Sequence, residues 1–283
     1  MSGISAWTIR GAEGLPIHGN THIPEVDATA NVLIVHGWTG CKDRNIVPAL
    51  THLLASTCTV HRCTLSHAGM EKDADQITRP EEFRRDSLAF CVEDVRRVIE
   101  HLTPPAAPPF VLIGHSRAGA TVIRCAAEAV RHGWSRVPDA LVSVAGTATY
   151  TRFDPAMREE LESRGYVERP CTRAPGGVVR MGPSWYEHHL AEPERDLYAE
   201  DARDVACPVL IVHGEADDAV PVEHADRARV ALERGRCPSV EVVRVPGADH
   251  NFNAGGYGFE RDNIATPESR LAGEAIHRFI TAL

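Results

Sequence analysis

Val111-Leu112-Ile113-Gly114-His115-Ser116-Arg117-Ala118-Gly119 is the stretch on which the reading of the fold turns. Residues 110–114 form an apolar run of the length expected for a strand buried on both faces, and helical patterning begins at about residue 117 and continues to about 132. A serine caught between the two must take a strained backbone, which requires small residues two positions before and two after it. Gly114 meets the requirement. Ala118 meets it with one methyl group more than glycine, and Gly119 follows one residue later, so the pattern is G-x-S-x-A. Such a turn lifts the Ser116 hydroxyl above the sheet. It also leaves the Arg117 backbone N–H at a helix N-terminus, suited to a developing oxyanion. The competing reading of Ser116 is a plain helix cap, since serine is a favoured capping residue.

Outward from this turn, short β-rich runs alternate with helical patterns. Residues 5–10 and 15–22 predict a hairpin around Gly11-Ala12-Glu13-Gly14, and 31–36 (NVLIVH) and 57–65 predict further strands. A long helix is expected from about 81 to 101, followed by the proline-rich connector 104–109. Downstream come strands at 140–145, 209–213 and 240–245, and helices near 222–234 and 267–281. This alternation predicts an α/β architecture: a mostly parallel sheet with helices on both faces. Residues 146–204 break the rhythm, with several Pro and Gly, many aromatics and no clear strand. The expected organisation is a core of residues 1–145 and 205–283, with 146–204 inserted as a short cap over the C-terminal edge of the sheet, where such sheets place their ligands.

A serine hydroxyl is a weak nucleophile until an oriented base takes its proton. Two loops supply candidates, each directly after a predicted strand and so at the same sheet edge as Ser116. One is His213-Gly-Glu-Ala-Asp217-Asp218-Ala-Val-Pro221, and the other is Val245-Pro-Gly-Ala-Asp249-His250-Asn251-Phe252. Asp217 is the candidate acid, with Asp218 second, and His250 is the candidate base. The bland alternatives are a helix N-cap for Asp217 and an ordinary loop histidine for His250.

These motifs together resemble the α/β-hydrolase superfamily, and the resemblance runs from the opening hairpin to the last helix. It implies the order Ser116, Asp217, His250 for a catalytic triad. His36-Gly37-Trp38-Thr39-Gly40 is similar to the family's segment after its third strand, which implies that the Trp38 backbone N–H joins that of Arg117 in the oxyanion hole. The serine nucleophile sets the chain apart from the dehalogenase and epoxide hydrolase branches, whose nucleophile is acidic. The insertion is similar to the short cap of cinnamoyl or feruloyl esterase-like hydrolases, also labelled acyl-peptidase-like. Trp38, Tyr150, Trp185 and Tyr186 are the candidate substrate-binding aromatics, with anchoring of the cap as their alternative role.

The remaining features narrow the function by exclusion. The net charge of −9, without a Lys/Arg run, argues against nucleic acid. Arg84-Arg85, Arg96-Arg97 and the acidic residues between and around them, including Asp86 and Asp94, read as a solvated helix face. No apolar run approaches the ~20 residues of a membrane span, and the opening MSGISAWTIRGAEG lacks the pattern of a secretory signal. Eight scattered cysteines without a CxxC pair read as reduced, and a cytoplasmic location is expected. His36, His115 and His213 read as structural. Glu187-His188-His189 lacks the spacing of helical zinc ligands, so neither metal nor cofactor is expected. The expected activity is a serine carboxylesterase acting on small or aromatic esters. Its rivals are a peptidase that grips a substrate amine, for which Glu159-Glu160 is the weak candidate, and a non-catalytic small-molecule-binding scaffold. The oligomeric state is left open.

Overall fold

The computed structural model describes residues 3–102, 106–259 and 264–283, so Pro104 and Pro105 of the proline-rich connector lie outside the described residues. The chain opens with the hairpin β1 (Gly3–Arg10) and β2 (Pro16–Ile23). It continues through β3 (Asn31–Val35), α1 (Ile46–Leu54), β4 (Thr59–Thr64), α2 (Pro80–Arg84), α3 (Leu88–Leu102), β5 (Phe110–His115), α4 (Arg117–His132) and β6 (Ala140–Val144). The inserted segment holds α5 (Pro155–Arg164), β7 (Val167–Pro170), β8 (Val178–Met181), α6 (Glu187–Ala191) and α7 (Leu197–Asp204). The last part is β9 (Val209–Gly214), α8 (Glu223–Glu233), β10 (Val240–Val245) and α9 (Pro267–Thr281).

Eight strands form one sheet in the order β1-β2-β4-β3-β5-β6-β9-β10. The first two pairings, β1 with β2 and β2 with β4, are antiparallel, and all the others are parallel. The central strands are apolar on both faces because helices cover both. Val111, Leu112 and Ile113 of β5 are completely buried, each contributing ~1.5–3 kcal/mol of side-chain burial. Alternate residues point to opposite sides, so Leu33, Leu112 and Leu141 join one core cluster while Val32, Ile34, Val111 and Ile113 join the other. The closing helix starts where its sequence says it should. Thr266 and Ser269 cap each other reciprocally and Pro267 occupies the first turn.

Three expectations need correction. The helix predicted over 81–101 is interrupted between Arg84 and Leu88, because Asp86 accepts from the Ser87 N–H at 2.8 Å and Ser87 Oγ accepts from the Phe90 N–H at 3.1 Å, restarting the helix. Asp86 and Asp94 are not part of a solvated face: they are 6% and 1% exposed. Asp94 accepts from the Ala12 and Ser66 N–H groups, both at 2.7 Å, and so ties the hairpin turn to the loop after β4. Finally, the inserted segment does contain strands. β7 and β8 pair antiparallel as a small separate sheet.

The insertion packs in two places. α7 lies against α4 and α8, and Tyr198 and Ala202 enter the core cluster. The segment 153–186 makes its own apolar cluster, in which Met157, Leu161, Val179, Trp185 and Tyr186 pack with Met70 and Ile77 from the loop that follows β4 and with Phe83 from α2. Among the described residues no helix is long and apolar enough to cross a membrane.

Candidate active site

Ser116 sits between β5 and α4 with φ 58° and ψ −126°, a positive φ that a non-glycine residue adopts only under constraint. Two glycines make the turn possible. A Cβ on Gly114 would lie 2.1 Å from the Ala118 carbonyl oxygen, and one on Gly119 would lie 2.6 Å from the Cα of Gly146. Ala118, by contrast, buries its methyl group in the core and is 3% exposed. The tight position is therefore Gly119, which explains why the departure from G-x-S-x-G is tolerated.

Asp217 and His250 follow β9 and β10, as the spacing required, and the parallel register brings both loops to the same edge as Ser116. His250 Nε2 lies 2.9 Å from Ser116 Oγ, and His250 Nδ1 lies 2.8 Å from Asp217 Oδ2. Asp217 Oδ1 accepts from the N–H groups of Ala219 and Val220 at 3.0 and 2.8 Å. A carboxylate can only accept, so Nδ1 of His250 is the protonated nitrogen and Nε2 is free to take the serine proton. Burial works against ionising Asp217. The N–H groups of His213, His250 and Val220 outweigh it and hold the carboxyl well below the usual carboxylate range. Asp218 points outward and is exposed.

The three flanking histidines are buried and each supports this arrangement. His213 Nε2 is 2.8 Å from the Val220 carbonyl and 3.4 Å from Asp217 Oδ2, so its N–H goes chiefly to the carbonyl and braces the acid loop. His115 Nε2 donates to the His250 carbonyl at 3.0 Å. His36 Nε2 accepts from the Leu65 N–H at 3.0 Å, which leaves its Nδ1–H for the Gly37 carbonyl at 2.8 Å. Burial pushes His115 down to about 3 and His36 down to about 4, so both are neutral at physiological pH.

His36 thus fixes the loop that carries Gly37 and Trp38 beside Ser116. The contact is close enough that a Cβ on Gly37 would stand 2.7 Å from Ser116 Cβ. Among the described residues no backbone carbonyl accepts from the Trp38 or Arg117 N–H, and the latter is first in its helix, where no partner four residues back exists. Two unengaged N–H groups thus flank the serine.

Above them lies a cavity of about 480 Å³ whose lining includes Ser116, His250 and all four candidate aromatics, Trp38, Tyr150, Trp185 and Tyr186. Tyr150, Trp185 and Tyr186 are 3%, 2% and 0% exposed. Each also anchors the structure behind the wall. Tyr150 donates to Asp201, Trp185 Nε1 donates to the Phe83 carbonyl at 2.9 Å, and Tyr186 reaches Met181 sulfur at 3.7 Å. Lining and anchoring are therefore the same residues' work.

Sequence reasoning missed Asp86. It accepts from Arg117 Nη1 at 2.7 Å, and the Arg117 guanidinium lies 4.2 Å over the Trp185 ring. The neighbouring backbone is stitched to the segment after β8, with Gly182 N–H donating to the Arg84 carbonyl at 2.8 Å and Ser184 Oγ to the Arg85 carbonyl at 2.9 Å. The signal was present as Asp-Ser in mid-helix, a capping pair out of place. Glu159 and Glu160 do not line the cavity, and Glu160 is engaged with Arg164 and Arg169.

A strained serine, an imidazole and an ionised aspartate in line at the C-terminal edge of a parallel sheet define a hydrolase of the α/β type. The comparisons with known proteins agree: residues 32–255 match the model of the alpha/beta hydrolase family, and the chain belongs to that family. Among solved structures it is similar to a putative hydrolase from Agrobacterium vitis S4, with a TM-score of 0.71 at 19% identity over 98% of each chain. It is also similar to Est1E from Butyrivibrio proteoclasticus with ferulic acid bound, with a TM-score of 0.70 at 19% identity, again over 98% of each chain. A curated relative, the uncharacterized peptidase YuxL of Bacillus subtilis (strain 168), is 35% identical over 80 residues. That stretch spans 26% of this chain and 12% of the relative.

Proposed function

We propose that the protein is a serine carboxylesterase that hydrolyses small or aromatic carboxylic esters. The observation that carries this reading is the unbroken line from Ser116 Oγ through His250 to Asp217, at 2.9 and 2.8 Å. Ser116 attacks the ester carbonyl while His250 Nε2 accepts its proton, and Asp217 stabilises the imidazolium that results. The N–H groups of Trp38 and Arg117 receive the oxyanion, each such donor lowering the barrier by about 3 kcal/mol. His250 returns the proton to the departing alcohol, and water, activated by the same nitrogen, then releases the acyl group. A cavity of about 480 Å³ suits a small or aromatic ester, and the ferulic acid held by Est1E is an aromatic acid bound on a similar fold.

The local likeness to YuxL favours a peptidase as the second reading. It ranks below the esterase because no carboxylate among the described residues lines the cavity to grip a substrate amine. For location we propose the cytoplasm, supported by eight unpaired cysteine thiols. The test is hydrolysis of p-nitrophenyl acetate by the wild type and Ser116→Ala, before and after phenylmethylsulfonyl fluoride. Turnover removed by both treatments supports the esterase. An inactive, unlabelled wild type rejects it in favour of a binding scaffold.

A further inference from the structure

The cavity beside Ser116 is polar in one sense only. Among the described residues no aspartate or glutamate lines it, whereas Arg44, Arg117 and Arg152 all do. Two of these arginines are neutralised from behind, Arg44 by Asp75 at 2.6 Å and Arg117 by Asp86 at 2.7 Å. Arg152 is different. It is exposed, its Nη2 donates to the Ala219 carbonyl at 2.7 Å, and among the described residues it forms no ion pair. Ala219 lies in the loop that carries Asp217, so the guanidinium stands at the mouth on the catalytic side.

Behind the wall, Nε and Nη2 of Arg117 and Nε1 of Trp38 are buried and have no acceptor among the described residues. The wall hydroxyls of Thr147, Thr149 and Thr151 donate to backbone carbonyls at 2.7, 3.4 and 3.2 Å, so they are already oriented. In a chain of net charge −9, the three arginines are a local concentration of positive charge, which favours an anionic ligand over an amine.

We propose that the substrate is an ester that also carries a carboxylate, which Arg152 binds at the cavity mouth while Ser116 attacks the ester carbonyl. A guanidinium freed of any carboxylate partner offers a fork that matches a carboxylate in two parallel hydrogen bonds. The inference rests on the esterase reading and narrows its substrate class.

The test uses two matched pairs of esters, so that a carboxylate in the acyl half and one in the alcohol half are separated. Mono-p-nitrophenyl glutarate is compared with p-nitrophenyl butyrate, and 4-acetoxybenzoate with its methyl ester. The readout is kcat/KM for the charged ester divided by that for its neutral match, in the wild type, Arg152→Gln and Arg152→Lys. The ratio cancels intrinsic reactivity and any general loss of folding. In at least one pair, Arg152→Gln is expected to lower the ratio about 10-fold, the size of a charge-assisted hydrogen bond. Arg152→Lys should retain most of it, and the wild-type ratio should fall as salt is raised to about 0.5 M. Unchanged ratios in both pairs, with neutral esters still hydrolysed, overturn the proposal and leave the esterase standing. Failure of the wild type to hydrolyse any of the four esters overturns the esterase reading itself.

Discussion

On one side of the cavity, Asp217 accepts from His250, Ala219 and Val220, and His250 in turn stands 2.9 Å from Ser116. On the other side, Arg117 and Trp38 hold buried N–H groups with no acceptor among the described residues, behind an exposed Arg152 that forms no ion pair with them. The first side is complete without a ligand. The second carries the cost of unmet donors, about 1–3 kcal/mol each. The contrast separates two tasks. Proton transfer needs a geometry fixed in advance, while recognition keeps its bonding capacity open.

Breaking the finished side should give the largest effects. Ser116→Ala is expected to lower kcat for p-nitrophenyl acetate by at least about 10⁴-fold without unfolding the chain, and Asp217→Asn by about 10⁴-fold through loss of the correct imidazole tautomer. Steady-state rates with a circular dichroism check measure both; a variant within tenfold of the wild type contradicts the assignment. Gly37→Ala comes next. Its methyl group would stand 2.7 Å from Ser116 Cβ, so the serine must shift by roughly 1 Å, a misplacement that costs roughly 10²-fold in rate.

Asp86→Ala sharpens the comparison from the other side. It leaves the Arg117 guanidinium without its partner and loosens the stacking on Trp185, and losing one member of a buried pair costs about 3 kcal/mol. Urea unfolding should show that loss; a midpoint equal to that of the wild type would show that the pair is not holding the cap.

The histidines around the site predict a pH dependence of stability. The folded pKa values of His36 and His115 lie below the unfolded value of 6.5, so the unfolded chain binds protons first. Their contribution is complete above pH ~6.5 and is lost as pH falls towards about 4 and about 3 respectively, at roughly 1.4 kcal/mol per pH unit for each. Unfolding free energies measured from pH 7 down to pH ~4.5 should therefore decline, and a flat profile would mean that these rings are not buried as neutral species. The smallest effect belongs to Glu160→Gln. Its partners Arg164 and Arg169 sit at the surface, so stability should change by less than ~1 kcal/mol and the esterase rate should not change.

The catalytic side was legible in the sequence because its signals are local. Gly114-His115-Ser116 closes the buried strand β5 and the loop at Asp217 follows the buried strand β9, while the loop at His250 follows the half-exposed edge strand β10, and strand ends at one edge of a parallel sheet meet in space. The edge strand at 240–245 and the final helix at 267–281 were readable for the same reason, through periodicity and a Thr-Pro-x-Ser start. The substrate side was not, because its contacts join distant segments. Asp86 meets Arg117 across 31 positions, and Phe83 meets Trp185 across 102. The strands β7 and β8 have four residues each, too short for alternation to register. Asp94 looked solvated because its charge matched its neighbours on the helix, while its two acceptor bonds reach back to Ala12 and across to Ser66.

The most direct test is labelling of the intact protein with a fluorophosphonate probe, followed by peptide mass spectrometry. The account predicts one adduct, on Ser116, absent from Ser116→Ala and sharply reduced in His250→Ala. No adduct, or an adduct on another residue that survives Ser116→Ala, would contradict the claim that Ser116 is an activated nucleophile.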